Sequence, residues 1–504
     1  MVNSFNVSTV TLSDLNLIEA SAGTGKTFTL AEIYCRLILE QDLTVEQILV
    51  VTFTRAATEE LRSRLREKLV NTRNELIEEA DERSLLARQK LNLAIQSFDE
   101  AAIFTMHGFC QRVLGDFAFE SGLAFDLEVI RDDHALLQAA VDDFWRRHIT
   151  TADHKLVQYL LAKKQSPEAL LKSIRSLLGK PYLHYLPIRD VDIEKEHQQA
   201  KIQFEKLKML WNIEQDIIRA TLQDRTLLNG VKYGTSPVQD GLESIDDLLS
   251  CDDVPLKLFH GFERFTLTKL QDALKKDQQL PELAFWEASE QLQELVEHVQ
   301  AAQALQYQHL RYDLLIELLT TLKKEKQQQR VQSNDDLLLN LERVLEGSGG
   351  DWLVARLRQQ YPAALIDEFQ DTDPVQYASF SRIYADSSLP VFLVGDPKQA
   401  IYSFRGADIF TYLSAKKSTQ HEHTLGTNWR SHPDLVNAVN MILNSKKKPF
   451  IYEGIPFHPV KASRESKPIL TTLNSNSALQ LLWIDSSKVM TKTEMAKLAA
   501  KATA

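Results

Sequence analysis

The chain has 504 residues, of which 58 are basic and 69 acidic, and its formal net charge is −11. This balance excludes a protein that binds nucleic acid over a wholly basic surface, but it permits a basic groove on an acidic body. Three cysteines supply neither a disulfide framework nor a C-x-x-C metal pair. The sequence contains no apolar run of the ~18 residues that a membrane span needs, and its N-terminus does not resemble a signal peptide. We therefore expect a soluble, cytoplasmic protein of roughly two to four domains.

The first motif is a phosphate-binding loop within the segment IEASAGTGKTFTL (18–30). It follows a short apolar run at 15–19, which predicts a buried strand, and precedes apolar residues at helical spacing over 27–39. Glycines let backbone N–H groups surround phosphate oxygens, and the helix N-terminus adds partial positive charge. A lysine can neutralise the terminal phosphates, and the threonine hydroxyl can bind Mg²⁺. The predicted nucleotide-binding residues are Ala20, Ser21, Ala22, Gly23, Thr24, Gly25, Lys26 and Thr27, the last also as a metal ligand.

One position of this loop departs from the usual spacing G-x-x-x-x-G-K-[ST]. Ala20 stands where the first glycine is expected. Its methyl group is tolerable if the backbone there has ordinary dihedral angles. The alternative is a glycine-rich turn with a chance Lys-Thr pair.

Strand-like runs alternate with helical patterns at both ends of the chain, which predicts an α/β fold with a parallel sheet. Between about 125 and 345 the pattern changes to helical, and we expect a large helical insertion there. Leucine stripes in this block are expected to be packing surfaces. The strand-like runs are 47–53, 363–369 and 390–396, and the clearest inserted helices are 133–148 and 309–324. Within the insertion, the segment 229–241 is expected to be loop-rich, and the segment 246–255 is acidic.

A carboxylate pair follows the strand-like run in LIDEFQDTD (365–373). Asp367 is placed to hold Mg²⁺, and Glu368 can orient and deprotonate the attacking water. The alternative is a cluster that caps the next helix.

The segment LVGDPKQAIYSFRGAD (393–408) combines a polar turn with aromatic residues. Gln399 can hydrogen-bond a γ-phosphate or its water. Tyr402, Phe404 and Arg405 together can form a stacking platform for single-stranded bases. The alternative is that the two aromatic rings belong to the core.

A third polar segment, LGTNWRSHPDLV (425–436), offers a cation and an aromatic ring. Arg430 could reach the γ-phosphate, and Trp429 could present an apolar face to a purine. The alternative for Arg430 is an ordinary surface arginine.

The segments ASAGTGKT, VVTFTRAATEELRSRL, TMHGFC, IDEFQDTD, VGDPKQAIYSFRGAD and TNWRS occur in the order seen in UvrD-like superfamily 1 DNA helicases, and the chain resembles that family. The longer phrases FTMHGFCQRVL, FQDTDPVQY and FRGADIFTYLSA are similar to its helicase–nuclease members. The resemblance implies ATP and Mg²⁺ as cofactors, single-stranded and duplex-end DNA as partners, and further subunits. It also implies DNA contacts by Thr52, Phe53, Thr54, Thr105 and His107.

The resemblance further implies a domain plan. A RecA-like ATP-binding core would cover 1–124 and 346–419, with the helical insertion at 125–345. Residues 420–504 would begin a second, incomplete RecA-like domain, from which Arg430 would reach ATP across a cleft.

Two departures from the family stand out. No glutamine precedes the phosphate loop, the first being Gln41, which weakens the expectation of adenine selectivity. The late helicase motifs and the nuclease motifs do not follow Arg430, so we expect a truncated chain with weak ATP turnover on its own. Two hypotheses remain: the leading motor half of an ATP-driven helicase, or a non-catalytic ATP- and DNA-binding module. A small-molecule kinase fits poorly, because the aromatic-rich 393–408 segment has no role there.

Overall fold

The computed structural model describes residues 3–76, 81–118, 127–186, 188–190, 192–463, 478–479, 483 and 489–503. Its contacts divide the chain into two units, one formed by 1–129 with 332–504 and the other by 130–331. The expected insertion, 125–345, and the observed unit, 130–331, differ most at the C-terminal end. A helix at Asn334–Glu346 packs within the first unit instead. The assignment of domains remains a prediction.

The strands of the described residues are short. They are β1 (Asn3–Ser4), β2 (Leu15–Glu19), β3 (Ile48–Thr52), β4 (Ile103–Thr105), β5 (Glu128–Val129), β6 (Val331–Gln332), β7 (Ala363–Ile366), β8 (Val391–Gly395), β9 (His421–Thr424), β10 (Thr427–Asn428) and β11 (Lys461–Ala462).

Helices account for most of the described residues. They are α1 (Lys26–Glu40), α2 (Arg55–Glu75), α3 (Glu82–Gln96), α4 (Met106–Asp116), α5 (His134–His148), α6 (His154–Ala162), α7 (Pro167–Ile174), α8 (Ile193–Gln223), α9 (Thr235–Leu249), α10 (Leu267–Gln271), α11 (Ala284–Gln329), α12 (Asn334–Glu346), α13 (Gly350–Gln360), α14 (Pro374–Tyr384), α15 (Ile409–Ser418), α16 (Pro433–Asn444) and α17 (Lys492–Thr503). No helix among the described residues combines the length and the apolar character that a membrane crossing requires.

The first unit is built around a seven-stranded sheet in the order β1-β9-β2-β8-β7-β3-β4. Every strand pair in it is parallel. Every residue of β3 and β8 is buried, as expected for apolar strands of a parallel sheet covered on both faces. The predicted α/β class with a parallel sheet is confirmed. β9 pairs with β2, so residues 421–424 lie in this sheet and not in the second domain expected from residue 420 onward.

Helix α1 follows the phosphate loop and packs against the sheet. Its side chains Leu30, Ile33 and Leu37 are fully buried, in agreement with the helical spacing seen in the sequence. They join apolar residues of β2, β3, β7 and β8 in one core. This core holds the loop between a rigid strand and a rigid helix.

The second unit is helical. Its long helices α8 and α11 pack against each other. The leucine stripe of α11, Leu310, Leu314, Leu318 and Leu322, is buried in a cluster with Leu137, Val141 and Phe144 of α5, as the sequence predicts. The segment 229–241 is an exception to the predictions, because it is not all loop: α9 begins at Thr235 and buries Val238, Leu242 and Ile245 at helical spacing.

The sheet order determines which motifs become neighbours. The carboxyl ends of parallel strands meet at one edge, and ligand sites of such sheets lie there. Along this edge β2 leads into the phosphate loop, β8 into Asp396, β7 into Asp367, β3 into Phe53, and β4 ends at Thr105. The nucleotide motifs and the expected DNA motifs therefore occupy consecutive positions on one edge.

Candidate nucleotide site and nucleic-acid interface

The phosphate loop has the backbone that its glycines permit. Gly23 and Gly25 have φ values of 78° and 94°, in the left-handed region that favours glycine. A side chain at Gly23 would also lie 2.8 Å from Cβ of Arg430. Ala20 is fully buried, and its N–H donates to the carbonyl of Gly395 at 3.0 Å. Its methyl group therefore fills core space where a glycine was expected.

The loop borders a cavity of about 450 Å³. Most of the predicted nucleotide residues line it, while Ala20 and Thr24 are buried. Thr24 closes the turn, because its hydroxyl donates to the carbonyl of Ser21 at 2.7 Å. Phe28 and Glu60 also line the cavity, although neither belongs to a motif that would predict it. The lining residues are Ser21, Ala22, Gly23, Gly25, Lys26, Thr27, Phe28, Glu60, Glu368, Gln399, Trp429 and Arg430.

Asp367 stands at the end of β7, beside the cavity. Its N–H donates to the carbonyl of Val51 at 2.9 Å, and its Oδ1 accepts the N–H of Glu368 at 2.9 Å. Burial raises the pKa of Asp367 to about 6, and the neighbouring Glu368 carboxylate adds to the effect. A divalent cation bound to Asp367 would favour the ionised carboxylate and so oppose the effect of burial. The carboxylate therefore fits the metal role expected of it, next to a loop that supplies Thr27.

Glu368 has an unusual backbone. Its φ is 50°, a left-handed conformation that is costly for a residue with a side chain and occurs often at functional sites. Its Oε2 accepts hydrogen bonds from Lys26 Nζ at 2.6 Å and from Gln370 Nε2 at 2.8 Å. The predicted base is thus held between the loop lysine and a buried amide. Neither the strained backbone nor the amide was foreseen from the sequence.

Gln399 reaches the cavity from the turn that follows β8. Its Nε2 donates to Oδ2 of Asp396 at 2.7 Å. The other oxygen of this buried carboxylate pairs with Lys398 Nζ at 2.6 Å. Asp396 therefore fixes the amide of Gln399, so that its carbonyl oxygen can accept a further hydrogen bond.

Asn428 attaches the segment with Trp429 and Arg430 to the phosphate loop. Its Nδ2 donates to the carbonyl of Ala22 at 3.0 Å, and its Oδ1 accepts the N–H of Arg430 at 3.0 Å. The N–H of Trp429 donates to the carbonyl of Gly23 at 2.8 Å. Both predicted residues therefore lie at the cavity, on the same unit as the loop. Asn428 could not be predicted as a site residue, because an asparagine has no sequence signature until its partner is known.

Three aromatic rings form a row at the neighbouring part of the sheet edge. The rings of Phe53 and Tyr402 are stacked, with centroids 5.9 Å apart and an interplanar angle of 25°. Tyr402 and Phe404 follow at 5.8 Å and 56°. Phe404 is 75% exposed, so it does not belong to the core. The side chain of Arg405 lies outside the described residues.

The polar residues expected at DNA have local structural partners. Thr52 is 2% exposed, and its hydroxyl lies 2.6 Å from that of Thr58, so any contact with DNA would be indirect, through the turn. The side chains of Thr54 and Thr105 cap α2 and α4. His107 is half-buried, and burial lowers its pKa, so its ring is neutral at pH 7. Their DNA-binding role stays a prediction.

A parallel sheet with a phosphate loop, a carboxylate pair and an aromatic row on one edge defines a RecA-like nucleotide-binding unit. A profile described as the UvrD/REP helicase N-terminal domain matches residues 3–420. The chain belongs to the UvrD/REP helicase family.

Several relatives are named as the RecBCD enzyme subunit RecB. That of Escherichia coli (strain K12) is 37% identical over 478 residues, covering 90% of this chain and 40% of the relative. That of Haemophilus influenzae is 34% identical over 98% of this chain and 45% of the relative. That of Buchnera aphidicola subsp. Acyrthosiphon pisum is 31% identical over 93% and 41%, respectively. The chain therefore spans less than half the length of these relatives.

Proposed function

We propose that the chain is an ATP-dependent DNA helicase motor, the N-terminal part of a RecB-like helicase–nuclease. The supporting observation is the order of the sheet. One segment, 396–404, begins at the nucleotide cavity with Asp396 and Gln399 and ends in the aromatic row with Phe404. A site for ATP and a platform for single-stranded bases are thereby joined by a few residues, which is what a motor driven by nucleotide turnover requires.

The roles of the cavity residues follow from their chemistry. Lys26 and the loop N–H groups would bind the phosphates, while Thr27 and Asp367 would hold Mg²⁺, which neutralises phosphate charge when bound. Glu368 would accept a proton from the attacking water, and Gln399 and Arg430 would contact the γ-phosphate. For the base, Trp429 and Phe28 offer aromatic faces, because both line the cavity and both are exposed.

The DNA side rests on the aromatic row. Successive bases of a single strand would stack on Phe53, Tyr402 and Phe404. Arg405 and the helix caps Thr54 and Thr105 would lie near the DNA backbone. Because the net charge is −11, affinity must come from this local groove and not from the surface as a whole.

The wider assignments rest on the named relatives. RecC- and RecD-like subunits are proposed as partners, because the relatives are named as subunits of the RecBCD enzyme. Translocation in the 3′–5′ direction from duplex ends, in double-strand break repair and recombination, is proposed with them. A cytoplasmic location is proposed as well, since the DNA of the bacteria that carry these relatives lies there. The residues after β9, 425–504, are proposed to begin a second core domain.

The test compares nucleotide binding and hydrolysis in the chain and two variants. Mg-ATP should bind to wild type and to Glu368→Gln but weakly to Lys26→Ala. In single-turnover assays with excess protein and oligo-dT, phosphate release by wild type should exceed that of Glu368→Gln. If wild type binds Mg-ATP and oligo-dT but releases phosphate no faster than Glu368→Gln, the result would favour the non-catalytic ATP- and DNA-binding module. Equal ATP affinity of wild type and Lys26→Ala would refute the nucleotide site.

A further inference from the structure

We propose that Gln370 is a positioning residue that couples the nucleotide site to the DNA platform. Its buried side-chain amide links the carboxylate of Glu368 to the turn that carries Gln399 and leads to Tyr402. The inference rests on the proposed function and adds a specific route between the two ligand sites.

The amide uses both of its ends. Nε2 of Gln370 donates to Oε2 of Glu368 at 2.8 Å, and its Oε1 accepts the N–H of Asp396 at 2.8 Å. Gln370 is only 2% exposed, so water does not compete for these bonds. The amide thus bridges β7, which carries the catalytic carboxylate, and β8, which leads to the γ-phosphate contact.

The packing around this amide leaves it little freedom. Gly395 precedes Asp396, and a Cβ built there would lie 2.5 Å from Oε1 of Gln370 and 3.1 Å from its backbone nitrogen. The close approach of the two strand ends therefore requires a glycine at this position. Because the amide is pressed against β8, a displacement of this strand end has to move the hydrogen bond to Glu368 as well.

The link continues toward the DNA side. Asp396 accepts from the amide of Gln399 at 2.7 Å. Three residues after Gln399, Tyr402 stacks on Phe53, the residue that follows β3. A base that shifts Tyr402 therefore acts on the 396–402 turn, and through Gln370 on the carboxylate beside the γ-phosphate.

Only an amide can serve both bonds. A glutamate at 370 could still accept the N–H of Asp396, but it could not donate to Glu368 and would repel it. A methionine has nearly the same shape and can form neither bond well. The two substitutions therefore separate the donor function from side-chain packing.

The experiment measures equilibrium coupling, which does not depend on hydrolysis. The affinity of a fluorescent oligo-dT is titrated with and without a saturating Mg-bound non-hydrolysable ATP analogue. For wild type we expect the analogue to change this affinity by at least about fivefold. In Gln370→Met and Gln370→Glu the change should fall to within about twofold. In Gln370→Met, which adds no charge beside Glu368, the affinity for each ligand alone should stay near that of wild type.

A control variant and the comparison of the two Gln370 variants make the test decisive. Gln376→Met, which alters another buried glutamine of the same unit, should keep the wild-type coupling. Gln370→Glu keeps the acceptor for the N–H of Asp396 and loses only the donor to Glu368, so its loss of coupling covers the case of a misfolded Gln370→Met. Retained coupling in a folded Gln370→Met, or no coupling in wild type, would overturn the inference alone. A wild-type chain that binds neither ligand would overturn the proposed function and the inference with it.

Discussion

The ammonium group of Lys26 lies 2.6 Å from Oε2 of Glu368, although the two residues are 342 positions apart. The pair joins the first residue of α1 to the residue after the strand-end carboxylate Asp367. Lysine is the cation expected to meet the terminal phosphates. The carboxylate of Glu368 and the phosphates of the nucleotide therefore compete for the ammonium group of Lys26. Binding of either group to Lys26 weakens the interaction of the other with it.

The first prediction concerns this shared charge. Lys26→Ala should weaken Mg-ATP binding by about 10- to 150-fold, because a charge-assisted hydrogen bond is worth about 1.5–3 kcal/mol. Glu368→Gln should tighten binding several-fold, because it removes a negative charge and frees Lys26. Titration calorimetry with a non-hydrolysable analogue measures both. Lys90→Ala, whose partner Asp42 is remote from the cavity lining, is the control and should leave affinity unchanged. A loss of affinity in Glu368→Gln would contradict the competition.

Four strands of the first unit, β2, β3, β7 and β8, could be predicted because their signal is local. β3 and β8 are continuous apolar runs, and each is buried on both faces. The loop between β2 and α1 could likewise be predicted, since strand, glycines and helix follow one another within a few residues.

Other features depend on the tertiary structure and carry no local signal. Asn428 binds the loop across 406 positions, and Gln370 bonds Asp396 across 26. An asparagine or glutamine is read as polar until the sheet order brings its partners beside it. The segment 229–241 was predicted to be loop-rich, but it contains the start of α9, for another reason. Gly234 and Pro237 are turn signals, but here they occupy the cap and first turn of α9, where no intrahelical N–H bond is lost.

The second prediction follows from the raised pKa of Asp367. The native carboxyl holds its proton up to about pH 6, whereas the unfolded one releases it near 3.8. Between these values the native state binds more protons, so stability falls as pH rises, by about 3 kcal/mol in total. Asp367→Asn has no carboxyl to titrate at this position, so it lacks this loss of stability. Its free energy of unfolding without Mg²⁺ should therefore exceed that of wild type above pH 6 and match it near pH 4.

Denaturant titrations at several pH values measure this difference. Asp371 provides a second case, because burial and Glu368 raise its pKa to about 6 as well. Asp371→Asn should show the same direction of change. Curves for wild type and Asp367→Asn that run parallel from pH 4 to 8 would show that the carboxyl is not perturbed.

The third prediction concerns the aromatic row. Phe404→Ala should reduce the affinity for oligo-dT by about 1–3 kcal/mol, since stacking on a base is worth that amount. The affinity of every variant should fall with rising salt, because phosphate contacts release counterions. Phe410→Ala is the matched control, because Phe410 is also exposed but packs on Tyr452 outside the row. Equal losses in the two variants, measured by fluorescence anisotropy, would argue against a specific platform.

The last prediction concerns a charge buried directly behind the phosphate loop. Oε1 of Glu19, the last residue of β2, accepts from Lys416 Nζ at 2.6 Å and from the hydroxyl of Tyr412 at 3.3 Å. The two side chains of the ion pair are 5% and 16% exposed, so removing the lysine leaves a buried carboxylate uncompensated. Lys416→Met should therefore destabilise the chain by about 3–5 kcal/mol in denaturant titrations at pH 7.

The double variant Glu19→Gln with Lys416→Met distinguishes the lost charge from lost packing. It removes the carboxylate that Lys416→Met alone leaves unpaired, so it should be more stable than that single variant. Lys417→Met, at the adjacent exposed position, should stay within about 0.5 kcal/mol of wild type. If Lys416→Met behaves like Lys417→Met, the carboxylate of Glu19 must be reached by water, and the loop is then not supported by a buried ion pair.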